Sequence, residues 1–214
     1  MQILILSGSR NHKGQTARAI NAIKKGITAA GGKTEVVFLT EMKLERCRQC
    51  DPDGWGLCRR EGYCIIEDDF AGIVEKLLAA DLVVFATPVY FADLSESMRG
   101  FLDRFRRIRF PKMISARRGP PGPFPPVEGP SAIGLCYAGG SGNGTTACAA
   151  NLERILQTCG LDVVDVVLAR RQNIEAKLPV LELTGRWLVT RPTSGPFDPG
   201  PLPDSQIKSK GAKK

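Results

Sequence analysis

Residues 82–108 read LVVFATPVYFADLSESMRGFLDRFRRI. Leu82–Ala86 form an unbroken apolar run, without the alternation of a half-solvated strand. Such a run belongs to a parallel strand covered on both faces. Pro88 stiffens the turn after it and disfavours helix at Thr87. Ser95 can cap a following helix, and Met98, Phe101, Leu102 and Phe105 recur at the spacing of one helical face. The unit is strand, loop, helix, and it repeats in both directions. Ile3–Leu6, Thr34–Phe38, Ser131–Tyr137 and Val163–Leu168 are the other candidate strands. Thr16–Ala30 reads as a helix with Ile20, Ile23, Ile27 and Ala30 on one face. Asp69–Ala80 places Phe70, Ile73, Val74, Leu77 and Leu78 on such a face, and Thr145–Cys159 places Cys148, Leu152, Ile155, Leu156 and Cys159. Asp68 and Thr145 stand at N-cap positions, and Gly31-Gly32 and Gly160 stand where helices end. A last helix is expected from near Pro179 to near Val189. Strand and helix alternating in this way predict an α/β fold: a doubly wound five-stranded parallel sheet with helices on both faces. Ligands bind such sheets beyond the carboxyl ends of the strands. The loops to read for function are therefore 7–16, 39–68, 87–94 and 138–145.

The chain has 214 residues, enough for one domain with its own core. Its net charge of +8 is concentrated: residues 99–118 carry +7 and residues 191–214 carry +3, while residues 1–98 and 119–190 each carry −1. The basic segment reads either as a solvated helix face or as a dock for an acidic partner. Nucleic acid is not the expected partner, because Phe101 and Phe105 lie on the core-facing stripe and no exposed aromatics interleave the arginines. The longest apolar runs are strand-sized, so no membrane-spanning helix is expected. Met1–Leu6 leads straight into a strand without a basic region or cleavage site, which points to a cytoplasmic protein. Residues 119–130 hold six prolines and three glycines and read as an irregular insert in a domain spanning 1–190. Residues 191–214 read as a flexible Pro/Lys-rich tail.

The loop Ser7-Gly8-Ser9-Arg10-Asn11-His12-Lys13-Gly14-Gln15-Thr16 joins the first strand to the first helix. Hydroxyls, backbone amides and a guanidinium gather there at a helix N-terminus, which is a phosphate site. The pattern is neither the dinucleotide turn nor the P-loop, and it suits a single terminal phosphate better than a pyrophosphate. His12, the one histidine, receives no catalytic role, since a lone His in a polar loop is more often solvated.

The cysteines fall into two groups. Cys136, Cys148 and Cys159 sit in strand and helix patterns and read as inert core residues. Cys47, Cys50, Cys58 and Cys64 are clustered in the cysteine-rich loop 47–64 and look like a metal site. Three readings of that cluster stand side by side: a [4Fe–4S] cluster on four thiolates, a tetrahedral zinc, or metal-free thiols.

Three stretches carry a family likeness. They are Gly8-Ser9-Arg10 with Gly14 and Thr16; Ala86-Thr87-Pro88-Val89-Tyr90-Phe91-Ala92-Asp93-Leu94-Ser95 followed by Met98-Arg99 and Phe101-Leu102-Asp103-Arg104; and Ala138-Gly139-Gly140-Ser141-Gly142-Asn143-Gly144. In this order they resemble the NAD(P)H-dependent FMN reductases of the flavodoxin-like superfamily, and in particular the iron-sulfur flavoprotein branch. The resemblance implies flavodoxin strand order with FMN at the switch point. It implies an FMN phosphate on Ser9, Arg10, Gln15 and Thr16, and a ring between Pro88, Val89, Tyr90, Phe91 on one side and Gly139, Gly140, Ser141, Gly142 on the other. In that branch a compact cysteine motif precedes an acidic pair, seen here as Asp68-Asp69, but the gap between Cys50 and Cys58 is longer than the family's usual spacing.

The function implied is transfer of a hydride from NAD(P)H to FMN N5 and onward to a quinone-like or other redox acceptor. Positioning matters more than acid–base side chains for such a step, so the lack of a catalytic triad is in keeping. The alternative is an iron-sulfur flavoprotein passing single electrons between ferredoxin and FMN through a [4Fe–4S] cluster, and a further one is a redox or metal sensor. A homodimer or homotetramer is implied by the resemblance.

Overall fold

Each apolar run becomes a strand of one parallel sheet. The computed structural model describes residues 1–50, 52, 56–115 and 129–191. The strands are β1 (Gln2–Ser7), β2 (Lys33–Phe38), β3 (Leu82–Pro88), β4 (Ser131–Ala138) and β5 (Asp162–Arg170), in the order β2-β1-β3-β4-β5. Every neighbouring pair is parallel. This is the flavodoxin order. β3 is buried along its whole length, which is why its sequence does not alternate: both faces meet a helix layer.

The helices are α1 (Gln15–Ala29), α2 (Gly56–Glu61), α3 (Phe70–Ala79), α4 (Glu96–Ser115), α5 (Thr145–Thr158) and α6 (Ile174–Thr190). Leu4, Leu6, Val83 and Phe85 meet the apolar faces of α3, α4 and α5. Ile3, Ile5, Val84 and Ala86 meet those of α1 and α6. On the first face Phe101 lies tilted against Phe70, at 5.5 Å, and stacked with Phe105, at 5.9 Å. On the second, α1 and α6 pack backbone to backbone, because a methyl group on Gly26 would collide with the Glu182 carbonyl and one on Gly185 with that of Ile23. α1 ends as its glycines predict: Gly31 takes φ +84, and the amides of Gly31 and Gly32 return to the carbonyls of Thr28 and Ile27.

Some expectations need correction. α6 begins at Ile174 and runs through Pro179, instead of starting there. Pro179 forfeits one hydrogen bond, and the burial of Ile174, Leu181 and Leu188 offsets that loss. Thr145 is the first helical residue of α5, not its cap; Gly144 stands at the cap, and the Thr145 hydroxyl donates to the Gly142 carbonyl at 2.6 Å. Leu78 is exposed and lies off the buried stripe of α3. α4 continues beyond Ile108 to Ser115. Residues 119–128 of the insert and 192–214 of the tail lie outside the described residues.

The chain leaves β1 toward the α1 layer and leaves β3 toward the opposite layer. That divergence opens a crevice at the carboxyl ends of these two strands, the switch point of the sheet.

Candidate functional site

The crevice is built from three loops. The first follows β1. Gly8 donates to the Ala86 carbonyl at 2.8 Å, which ties the loop to β3. Ser9 is buried, and its hydroxyl oxygen accepts from the Asn11 amide at 3.2 Å. The Asn11 side chain accepts from Lys13 at 2.9 Å. These bonds wrap the loop toward α1, whose N-cap Gly14 offers no side-chain acceptor to the first-turn amides. Those amides and the helix dipole present a site for an anion. Thr16 is buried in the same turn. Arg10 is exposed and touches Glu96 at 3.3 Å. Gln15 accepts from Arg18 at 2.8 Å, and Arg18 holds Glu175 at 2.9 and 3.0 Å. His12 pairs with Glu41 at 2.8 Å and stacks on Phe38 at 3.8 Å.

The second loop follows β3. Val89 donates to the Tyr137 carbonyl at 2.8 Å. Tyr90 and Asp93 then exchange backbone bonds of 3.0 and 2.9 Å around Phe91 and Ala92, whose φ angles are +50 and +63. That tight turn normally uses Asn-Gly, and each non-glycine residue in it costs about 1 kcal/mol or more. Tyr90 is half-exposed and Phe91 fully so. The third loop follows β4. Gly142 donates to the Gly139 carbonyl at 2.8 Å, Ser141 accepts from the Asn143 amide at 3.3 Å, and Gln172 donates to the Gly140 carbonyl at 3.2 Å. A methyl group on Gly139 or Gly140 would meet nothing within 4 Å, so this wall faces open space. A methyl group on Gly144 would strike Ala92, so the second and third loops touch.

The cysteines separate as their patterns predict. Cys136, Cys148 and Cys159 are buried. Burial pushes the Cys159 thiol up to about 12, and the hydrogen bond with Cys148, together with burial, raises Cys136. Cys47, Cys50, Cys58 and Cys64 line one recess of about 20 Å³, with Leu57, Ile65, Ile66, Arg48, Arg104 and Arg107 around them. That volume admits a guest the size of a water or a single ion. Among the described residues, no group of three Cys, His, Asp or Glu side chains is arranged to hold a metal ion. The four thiols are of a donor type that soft metals use, but they are not arranged around a common point. Burial raises the Cys58 thiol, against the pull of Arg107.

Behind the recess stands a residue that linear charge density misplaced. Arg104 is 2% exposed, not part of a solvated basic face. It grips Asp68 at 2.6 and 2.9 Å, the Glu45 carbonyl at 3.0 Å and Cys64 Sγ at 3.3 Å. The Asp68 carboxyl is pushed up by its own burial, yet bonds from Arg104, Glu45 and Phe70 hold it below the usual carboxylate value. Arg109 is buried too, donating to the Cys159 carbonyl at 3.1 Å. Arg99 is tied to Asp93 at 3.3 Å and Asp103 at 3.5 Å. Three of the arginines counted as a patch are therefore internally committed, and Arg117 and Arg118 lie outside the described residues. The signal for Arg104 was its place three residues after Phe101 and beside Phe105, on the edge of the apolar stripe.

Known proteins agree with this geometry. Residues 1–172 match the family described as NADPH-dependent FMN reductase. An iron-sulfur flavoprotein of Methanocaldococcus jannaschii is 31% identical over 109 residues, covering 51% of this chain and 54% of that protein. An iron-sulfur flavoprotein of Methanosarcina thermophila shows 31% identity over 109 residues, with coverage of 51% and 54%. The chain thus spans about half the length of the curated relatives it matches. Among solved structures, an NAD(P)H:quinone oxidoreductase from Methanothermobacter marburgensis superposes with a TM-score of 0.65 at 19% identity, over 88% of this chain and 96% of that one. A flavone reductase gives a TM-score of 0.61 at 18% identity, over 88% and 62%. These likenesses show a shared flavodoxin-like fold. No helix among the described residues is long and apolar enough to cross a membrane. By the match over residues 1–172, the chain belongs to the NADPH-dependent FMN reductase family.

Proposed function

We propose that the chain is an FMN-dependent NAD(P)H oxidoreductase that passes electrons to a quinone-like acceptor. The observation that carries this reading is the helix N-terminus of α1, without a side-chain cap, standing at the switch point beside a glycine wall that faces open space. The loop amides, Ser9, Thr16 and Arg10 suit the FMN phosphate. Gln15 joins them on turning away from Arg18, its present partner. Pro88, Val89, Tyr90 and Phe91 form one side of the ring site, and Gly139, Gly140, Ser141 and Gly142 the other. When bound, FMN supplies two-electron chemistry between NAD(P)H and the acceptor. The protein's part is to fix the ring and leave one face open to the nicotinamide. The quinone-like acceptor draws support from the quinone oxidoreductase and flavone reductase of like fold. A cytoplasmic homodimer or homotetramer completes the reading.

A second reading is favoured by the shared recess of Cys47, Cys50, Cys58 and Cys64. These thiols would hold a [4Fe–4S] cluster that passes single electrons between ferredoxin and FMN, once the segment opens beyond the recess of about 20 Å³ that it leaves here. Reconstitution with FMN and gel filtration tests the first reading. A chain that retains FMN, with the flavin's visible bands and quenched fluorescence, is expected. A colourless chain would overturn it.

A further inference from the structure

A separate cavity adjoins the flavin-phosphate loop, at the carboxyl ends of β1 and β2. It holds about 310 Å³, a volume in the range of small-ligand sites. Leu39, Met42, Leu44 and Phe101 give it an apolar lining. α4 leaves room over that lining, because a methyl group on Gly100 would meet nothing within 4 Å. Two hydroxyls tie the walls to the β1 loop: Thr40 donates to the Ser9 carbonyl and Ser97 to that of Gly8, each at 3.2 Å. Arg10 belongs to both the loop and the cavity wall. The charges at the mouth are only partly balanced within the protein. Arg10 holds Glu96 at 3.3 Å, and Arg48 holds Glu45 at 2.6 Å. Arg46 is exposed and has no hydrogen bond or ion pair among the described residues. An apolar lining with one uncommitted guanidinium at its rim suits a flat, weakly polar body that carries an anion.

We propose that this cavity takes the adenosine end of the nicotinamide nucleotide, with Arg46 on its 2′-phosphate, so that the chain selects NADPH over NADH. This assignment rests on the reading of the chain as an NAD(P)H oxidoreductase and says which nucleotide serves it. The planar fork of a guanidinium matches a phosphate with two N–H donors. A charge-assisted contact of that kind strengthens binding by about 10–100-fold. NADH carries a ribose hydroxyl at the same place and gains nothing from the Arg46 charge. A quinone would cover the apolar lining and leave Arg46 without a partner. The shared wall at Ser9 and Arg10 keeps the nucleotide next to bound FMN, as hydride transfer requires.

The test uses the full-length chain in excess FMN, with adenosine 2′,5′-bisphosphate and adenosine 5′-phosphate as probes in titration calorimetry. Wild type is expected to bind the bisphosphate about 10–100-fold more tightly than the monophosphate. Arg46→Ala, at an exposed position, is expected to erase that difference and leave binding of the monophosphate unchanged. Gly100→Leu fills the cavity without changing its charge and is expected to weaken both probes. Flavin reduction should follow the same split: Arg46→Ala raises the Kd for NADPH by about 10–100-fold and leaves that for NADH as it was. A wild type without preference for the bisphosphate, or an Arg46→Ala variant that keeps the preference, would overturn the assignment. So would a folded Gly100→Leu variant that binds both probes as wild type does. Binding of the bisphosphate through Arg46, with a flavin that NADPH does not bleach, would leave the 2′-phosphate site standing and overturn the reductase reading alone.

Discussion

Arg104 and Asp68 form a two-point ion pair inside the protein, at 2.6 and 2.9 Å, with side chains 2% and 4% exposed. Removing one member of a buried pair leaves the other uncompensated, which costs about 3–5 kcal/mol. Asp68→Asn should therefore lower unfolding stability by about that amount in urea denaturation. The pH dependence has a definite sign. Asp68 is held below its ordinary value in the folded state, so its contribution is full above the ordinary carboxylate pKa and is lost as pH falls through the lowered value. Wild type should lose stability more steeply than Asp68→Asn below about pH 4. Parallel pH profiles would contradict the pair's role.

Glycines in the helices should respond in opposite senses. Gly26→Ala forces a methyl group onto the Glu182 carbonyl, and overpacking of this kind costs about 1–3 kcal/mol. Gly100→Ala places its methyl group where nothing lies within 4 Å and should stabilise by about 0.5–1 kcal/mol. Melting curves of the two variants check both directions.

Thiol reactivity should divide the cysteines. Cys50 is exposed, and Cys47, Cys58 and Cys64 are partly so, while Cys136, Cys148 and Cys159 are buried. A chromogenic disulfide reagent should titrate no more than four thiols in the native chain and all seven after denaturation. Cys58 should lag Cys50, because burial raises its thiol and lowers the thiolate fraction. A fifth thiol reacting without unfolding would contradict the burial.

Arg10 offers a clean test of the phosphate site. Its exposed pair with Glu96, at 3.3 Å, contributes little to stability. Arg10→Ala should leave the melting temperature of the FMN-free chain within about a degree or two and weaken FMN binding by about tenfold or more. Fluorescence titration with FMN measures the loss.

Much of this was legible in the sequence. Leu82–Ala86 and its counterparts are continuous apolar runs because both faces of the sheet are covered, so the strands announce themselves. The polar connection from β1 to α1 was legible because Ser7–Thr16 follow an apolar run and lead into a helical pattern. Two kinds of feature were hidden. The start of α6 was masked by Pro179, which reads as a first-turn residue but is carried mid-helix by packing against α1. The fate of Arg104 and Arg109 was hidden because charge summed along the chain ignores partners distant in sequence. Asp68 lies 36 positions from Arg104, and the Cys159 carbonyl 50 from Arg109. The recess had a trace in the cysteine spacing, but only the fold brings α4 behind it.

Anaerobic stopped-flow mixing of the FMN-loaded protein with NADPH and, separately, NADH shows whether the chain takes electrons from a nicotinamide nucleotide through bound FMN. At least one nucleotide should rapidly bleach the visible flavin band, and a quinone should restore it. An FMN-loaded chain that neither nucleotide bleaches, but that reduced ferredoxin does, would contradict the reductase activity.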